Sequence, residues 1–237
     1  MSKIKKICVL YTETNGLHTV TEKLSKKNLY GFARLVVLNY EIFYYNKSIV
    51  NDEWVSIKKV RSIIKPRCMH ISDESIKIHE ITNEYAMENG IEIESVLNDF
   101  KNDLKDVSVI VSHNVAFHLN TILGEYVRYN IQMDFIFSGV RTLKNKYIII
   151  DIMSFYHKLS SPKLLILYQN LYPNEELGLS NTIIKKKKSK NISKLEISDI
   201  PVLENSENNK NISKLELVKK CFIKLYKNYE SSIVNIN

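Results

Sequence analysis

The sequence predicts an α/β protein whose mixed central sheet is flanked by helices. Short, nearly continuous apolar runs such as Lys6–Thr12 (KICVLYT) favour strands that are buried on both faces. Two longer segments rich in strand-forming residues stand on either side of a polar turn, which predicts an antiparallel hairpin. Further along, apolar residues recur at helical spacing. The 237 residues suffice for one domain with a well-filled core and an appendage.

The hairpin is predicted from Ala33–Tyr45 and Trp54–Ile64, joined through the polar residues 46–52. Lys65-Pro66 should end the second strand, because proline has no N–H to donate to a neighbour. A short helix is predicted over Ser72–His79, where Ser72 can cap the first turn.

The middle of the chain alternates helix and strand. Ile93–Leu104 has the apolar spacing of an amphipathic helix, and Val107–Val111 has the composition of a buried strand. A longer helix is predicted over His113–Tyr129. Tyr147–Ile150 then forms a last strand that ends at Asp151.

The end of the chain changes in composition. Ser154–Tyr172 has a helical pattern that Pro162 should divide, and Leu215–Tyr229 should form a final helix. We therefore predict a core over residues 1–173, a basic low-complexity insertion over 174–214, and a C-terminal helix packed on the core over 215–237.

The predicted insertion contains a lysine run at 185–188 and an internal echo, NISKLEI at 191–197 and NISKLEL at 211–217. Two copies of so short a segment do not make a solenoid, so a duplication inside a disordered insertion is the simpler interpretation. The lysine run can contact phosphates or serve as a localisation signal, although a flexible solvated loop is the commoner meaning.

The net charge of +8 and the pI of about 9.1 favour polyanionic partners such as nucleic acid. However, Lys, Asn and Ile all have AT-rich codons, and their abundance can also reflect genome composition. Because large DNA viruses and some parasites have such genomes, a viral protein is one interpretation.

The sequence has no apolar run of the roughly 20 residues that a membrane-spanning helix needs, and its start lacks the long apolar region of a signal peptide. We therefore expect no membrane partner and an intracellular protein, cytoplasmic, nuclear or virion-associated. The three cysteines, Cys8, Cys68 and Cys221, include no close pair, so we expect buried, reduced thiols.

Four passages, in order, resemble the DEDDh (DnaQ-like) family of 3′–5′ exonucleases and cover roughly residues 5–172. The passages are Leu10–Leu17 (LYTETNGL, similar to DTETTGL), Ile64–Pro66 with Ile78–Thr82 (IKP and IHEIT), Val111–His118 (VSHNVAFH, similar to aHNaxFD) and Ile150–Met153 (IDIM). The resemblance implies a ribonuclease H-like exonuclease fold with the mixed sheet described above.

The resemblance also implies a mechanism in which four carboxylates hold two divalent ions and a histidine acts as general base. In this chain, however, Tyr11 stands at the first Asp position and His118 at the Asp position after Phe, whereas Glu13 is retained. The family's third motif, His-x-Ala-x-x-x-Asp or a close variant, is not found on the last helix, and no histidine follows His157. We therefore predict an inactive protein without a cofactor, and Mg²⁺ or Mn²⁺ only if it is active.

Each degenerate position has a functional and a structural interpretation. Glu13 is either a residual metal ligand or a solvated carboxylate at a strand end. Tyr11 is best explained as a core or pocket-filling ring. For His118, a helix-surface or capping position is favoured over a ligand, because no second His or Cys stands at ligand spacing.

Seven matching residues are expected at a nucleic-acid cleft by resemblance. His113 and Asn114 fit a strand-to-helix junction equally well, since Asn is tolerated in turns. The seven are Thr14, Asn15, Gly16, Leu17, His113, Asn114 and Phe117.

Three functions remain open from the sequence. The first is a non-catalytic module that binds nucleic acid or a protein partner in replication, transcription or packaging. The second is an active exonuclease with substituted ligands, for example Glu13 with Asp151. The third is a structural protein, such as a virion or assembly component, in which Tyr11 fills the cleft.

Overall fold

A computed structural model of the chain describes residues 6–46, 53–132, 147–156, 162–175 and 212–234. A five-stranded sheet, in the order β3-β2-β1-β4-β5, forms its centre. The strands are β1 (Lys6–Thr14), β2 (Leu35–Asn46), β3 (Glu53–Ile63), β4 (Val107–Ser112) and β5 (Ile148–Asp151). β1, β2 and β3 pair antiparallel, whereas β4 runs parallel to both β1 and β5, so the sheet is mixed as the sequence predicts.

The helices of the described residues cover the two faces of this sheet. They are α1 (Asp73–His79), α2 (Asn83–Asn89), α3 (Ile93–Asp103), α4 (Val115–Arg128), α5 (Ile152–Phe155), α6 (Leu164–Leu171) and α7 (Lys214–Val234). None of these helices combines the length and the apolar character that crossing a membrane requires.

Strand alternation divides the core between two layers. Cys8 and Leu10 of β1 lie in the layer that α3 and α4 cover, with Phe100 and Ile122 among its buried side chains. On the other face of the sheet, the neighbouring positions of β1 pack against α6 and α7. That layer buries Ile7, Val9, Leu167, Val218, Cys221 and Phe222.

Most predicted elements are confirmed with boundaries shifted by a few residues. The hairpin strands pair as predicted, although the turn expected at 46–52 lies almost entirely outside the described residues. Ser72 caps α1, where its hydroxyl accepts a hydrogen bond from the Ser75 N–H. The helix predicted from His113 begins only at Val115.

Three expectations need correction. Helix α2 was not predicted, because Ala86 is its only buried residue and no apolar stripe marks it. The final helix begins at Lys214, which the sequence had assigned to the insertion. Cys68 is exposed, whereas Cys8 and Cys221 are buried as expected. The lysine run and the first copy of the echo lie outside the described residues.

Candidate functional site

The carboxyl-terminal end of β1 lies at the centre of the candidate site. Because side chains alternate along a strand, Tyr11 and Glu13 face the layer of α7, and Thr12 faces α4. The pairing register with β2 shifts between Glu13 and Thr14, where Val36 is the extra residue. Such bulges redirect side chains at the ends of strands and often lie beside functional sites.

Glu13 forms an ion pair with the first residue of α7. The ammonium Nζ of Lys214 donates to Glu13 Oε1 at 2.8 Å. Burial raises the pKa of the Glu13 carboxyl, and the charge and hydrogen bond of Lys214 oppose this shift, with a smaller contribution from Arg61. Glu13 is therefore not the solvated carboxylate of the simple structural interpretation. Its charge is balanced within the protein.

His118 is buried on the inner side of α4, and the expectation of a helix-surface or capping position is wrong. Its Nδ1 lies 3.2 Å from the Thr12 backbone N and 2.7 Å from the Thr12 hydroxyl oxygen. Since a backbone N–H can only donate, Nδ1 must accept, and the proton of the neutral ring is on Nε2. Burial lowers the pKa of His118 to about 3, with smaller contributions from nearby positive charges that include Lys214. The ring is therefore neutral at physiological pH.

The partly buried ring of Tyr11 lies beside His118 and close to the ammonium of Lys214. Its ring centroid lies 4.5 Å from that of His118, and Lys214 Nζ lies 5.4 Å from the Tyr11 centroid. Burial raises the pKa of the Tyr11 phenol, with a smaller contribution from Glu13, so the phenol stays protonated and neutral. The aromatic face and the ammonium are arranged as in a cation–π interaction.

His113 and Asn114 form the junction between β4 and α4. Asn114 has the left-handed backbone that Asn tolerates better than most residues, and His113 Nε2 lies 2.7 Å from the Pro162 carbonyl oxygen. The carboxylate of Asp151 accepts from the N–H groups of Asn114 and Val115 at 2.9 and 3.0 Å. It thus satisfies two of the backbone N–H groups at the start of α4.

The loop that follows β1 is fixed by side chains within it. Asn15 Oδ1 accepts from the Arg34 N–H at 2.8 Å, so the loop is closed across its base. His18 Nδ1 accepts from the Ala33 N–H at 3.0 Å, and the His18 ring stacks on Phe117 with centroids 4.4 Å apart. One face of the Phe117 ring is therefore covered by the imidazole ring of His18.

A buried triad holds the other end of this loop. Glu125 is fully buried, and its Oε1 accepts from Arg34 Nε at 2.8 Å and from Arg128 at 3.0 Å. The Leu35 N–H donates to the same oxygen at 3.1 Å, and Arg128 also donates to the Leu29 and Phe32 carbonyls at 2.6 Å. The loop is thereby anchored on α4.

Two large side chains of the same loop are open to solvent: Leu17 is 70% exposed and Tyr30 is 86% exposed. Thr19 N–H donates to the Gly31 carbonyl at 2.8 Å, which joins the two stretches of loop that carry them. Three exposed lysines belong to the same loop, at positions 23, 26 and 27. The loop therefore presents apolar and aromatic surface together with positive charge.

The residues at this site do not fit a pair of divalent ions. Mg²⁺ needs several oxygen ligands at about 2.0–2.1 Å, preferably carboxylates. Glu13 already accepts from an ammonium, and both oxygens of Asp151 accept from backbone N–H groups. In the described part of the chain, no three His, Cys, Asp or Glu residues are grouped so that they could hold a metal ion. The substituted ligand set of Glu13 with Asp151 is therefore not supported.

Of the seven residues expected at a cleft, Leu17 and Asn114 are exposed, and the other five are partly buried. Thr14, for example, donates its hydroxyl to the Gly16 carbonyl at 2.6 Å. Sequence reasoning missed Lys214, Tyr30 and the triad. Of these, only Lys214 could have been found from the sequence, because it stands at the start of a segment with helical apolar spacing.

Comparison with known proteins agrees with the resemblance to exonucleases. The family model described as exonuclease, of RNase T type, matches residues 9–160. A search of curated proteins finds no significant match.

Several solved structures of exonuclease I are similar in fold. One is the zinc-bound form of the Escherichia coli exonuclease I complex with single-stranded DNA, which is 13% identical in sequence and has a TM-score of 0.53. The match covers 99% of this chain and 43% of the exonuclease I chain. A product-bound exonuclease I is 11% identical, with coverage of 95% and 44% and a TM-score of 0.53. The enzyme from Methylocaldum szegediense is 15% identical, with coverage of 75% and 32% and a TM-score of 0.46.

At these identities the likeness concerns the fold alone, and it confirms the ribonuclease H-like exonuclease fold. The chain spans less than half the length of these exonuclease I structures.

Proposed function

The chain belongs to the exonuclease family, and on this premise we propose that it is a non-catalytic member that binds single-stranded nucleic acid beside the former metal site. The proposal has two halves, the loss of catalysis and the retention of binding.

The state of the three matched ligand positions carries the first half. Tyr11 is neutral and partly buried, His118 is neutral and buried, and Glu13 is paired with Lys214. Cleavage of a phosphodiester by two ions depends on negative ligands that hold both ions against the attacking and leaving oxygens. One carboxylate that is already neutralised cannot do this.

The loop after β1 supports the second half. Proteins that bind single strands without sequence preference combine positive charge along the backbone with aromatic side chains on which bases stack. The exposed Tyr30 and Leu17 and the three exposed loop lysines supply both features. In the related structure of E. coli exonuclease I, the bound partner is single-stranded DNA. The net charge of +8 acts in the same direction.

The test uses 3′-labelled single-stranded DNA and RNA, incubated with Mg²⁺ or Mn²⁺ and then resolved on denaturing and native gels. We expect intact strands and a shifted complex whose affinity falls steeply with salt. Stacking on an aromatic side chain contributes about 1–3 kcal/mol per base, so Tyr30→Ala should weaken binding about 5- to 150-fold. Tyr85→Ala is the matched control, because Tyr85 is an exposed tyrosine on α2.

Each alternative function corresponds to a different result. Metal-dependent shortening of the 3′ end would show an active exonuclease with ligands outside the set described above. Intact strands without a shift would favour a protein-interaction or structural role, in which Tyr11 fills the former cleft. If binding is found, we propose a role in replication, transcription or packaging, and a viral source agrees with the Lys-, Asn- and Ile-rich composition.

A further inference from the structure

Lys214 lies among the three positions at which the exonuclease family is expected to hold its metal ions. Its ammonium is 2.8 Å from Glu13 Oε1 and 5.4 Å from the centroid of the Tyr11 ring. Its positive charge also contributes, after burial, to the low pKa of His118. One cation therefore acts on all three positions.

The charge of the Glu13 carboxylate is already matched by Lys214 without any added ion. Glu13 contributes one negative charge and Lys214 one positive charge, while Tyr11 and His118 are neutral. Arg61 lies on β3 and is close enough to influence the Glu13 carboxyl as well. A divalent ion placed here would meet two resident cations and a carboxylate that is already paired, so its electrostatic attraction would be small.

The packing of α7 fixes the position of this ammonium. Leu215, Leu217 and Val218, which follow Lys214 directly or within one turn, are buried against the sheet. Ser213 precedes the helix, and its hydroxyl accepts from the Glu216 N–H at 3.2 Å, as an N-cap does. A lysine in the first turn of a helix is disfavoured by the helix dipole, and the ion pair with Glu13 offsets this effect.

We propose that the ammonium of Lys214 is a built-in cation that takes the place of the divalent ions, so that the site is complete without metal. This inference concerns the same site as the proposed function and rests on the family assignment, but its readouts do not require nucleic acid. It also assigns a role to α7: the helix supplies the charge that the family is expected to obtain from solution.

The chain contains a matched control in its internal echo. The sequence Asn-Ile-Ser-Lys-Leu-Glu occurs at 191–196 and again at 211–216, so Lys194 has the same local sequence as Lys214. Lys194→Met and Lys214→Met thus make the same change in the same context. Only the second should act through Glu13.

The experiment uses the full chain and begins with Mn²⁺ binding, followed by paramagnetic resonance and by calorimetry. The wild type should show no saturable binding below millimolar Mn²⁺, and its thermal midpoint should be the same in Mg²⁺, Mn²⁺ or EDTA. Saturable micromolar binding that Glu13→Gln abolishes would overturn the proposal. This arm needs only the folded wild type, so it remains decisive even if a variant fails to fold.

The second arm is a double-mutant cycle in urea with Lys214→Met, Glu13→Gln and the double variant. We expect Lys214→Met to raise the unfolding equilibrium constant about tenfold in the wild type and much less in the Glu13→Gln background. Equal effects in both backgrounds, or the same coupling for Lys194→Met, would refute the assignment to Lys214.

The results separate this inference from the proposed function. Mn²⁺ binding without strand shortening overturns only the built-in cation. Intact strands without a gel shift, in a protein that binds no Mn²⁺, overturn only the nucleic-acid role.

Discussion

His118 should make the stability of the protein depend on pH in a measurable way. The ring is buried, and burial lowers its pKa from 6.5 to about 3. A histidine whose pKa is lower in the folded state binds its proton more readily when the chain unfolds. Stability is therefore fully present above pH 6.5 and is lost as the pH falls through the window from 6.5 to about 3.

The size of the effect follows from the shift. Each unit of pH inside the window is worth about 1.36 kcal/mol, so lowering the pH from 7 to 5 should cost about 2 kcal/mol from this residue alone. For a chain of this length, that corresponds to a fall of roughly 4–8 °C in the thermal midpoint. Burial also lowers the pKa of His79, to about 4, which acts in the same direction, whereas the raised pKa of Glu13 acts in the opposite one.

A comparison of variants removes these other contributions. His118→Asn keeps an oxygen that can accept from the Thr12 N–H but does not titrate, and His70→Asn makes the same change at an exposed position. Urea unfolding is followed by the fluorescence of the single tryptophan, Trp54, at pH 7, 6 and 5. The wild type and His70→Asn should lose about 2 kcal/mol more than His118→Asn over this range. Parallel losses in all three proteins would refute the placement of a neutral, buried His118.

Three further predictions concern the rest of the molecule. Glu125→Gln should lower the free energy of unfolding in urea by about 3 kcal/mol, because it leaves the guanidinium groups of Arg34 and Arg128 without their buried carboxylate. A loss below about 1 kcal/mol would contradict the ion pairs of this triad. Tyr126→Phe should cost about 1–2 kcal/mol in the same assay, since the phenol donates to a buried backbone carbonyl at 2.6 Å, and an unchanged midpoint would contradict that bond. A thiol reagent should modify only Cys68 in the native protein and the two buried cysteines only after unfolding, as mass spectrometry can show; modification of all three at equal rates would exclude the described core.

The fold could be predicted from the sequence because the strands and helices of the core have patterns that are visible within short stretches of sequence. Runs such as Lys6–Thr12 are apolar on both faces, and the amphipathic spacing of Ile93–Leu104 specifies a helix. Helix α2 was missed because its stability comes from the cap at Thr82 and a single buried alanine rather than from an apolar stripe.

The site was predicted less well because its contacts join distant parts of the chain. Lys214 and Glu13 are 201 positions apart, and no local pattern links them. The role of Asp151 also depends on a contact between separate segments, because β4 and β5 are parallel and Ser112 pairs with Asp151. That register places the carboxylate beside the start of α4, where a capping role is more favourable than a free ligand.

The substituted positions Tyr11 and His118 are best understood together with the ion pair of Glu13 and Lys214. Without Glu13, Lys214 would lose the carboxylate with which it forms an ion pair, and a carboxylate at position 118 would have to replace a neutral ring that accepts from the Thr12 N–H. Tyr11→Asp alone would place a second carboxylate two residues from Glu13, with Lys214 as the nearest cation described beside both positions. We therefore expect Tyr11→Asp and His118→Asp each to lower the free energy of unfolding in urea, because each adds a carboxylate to a largely enclosed site without adding a cation or a metal ion.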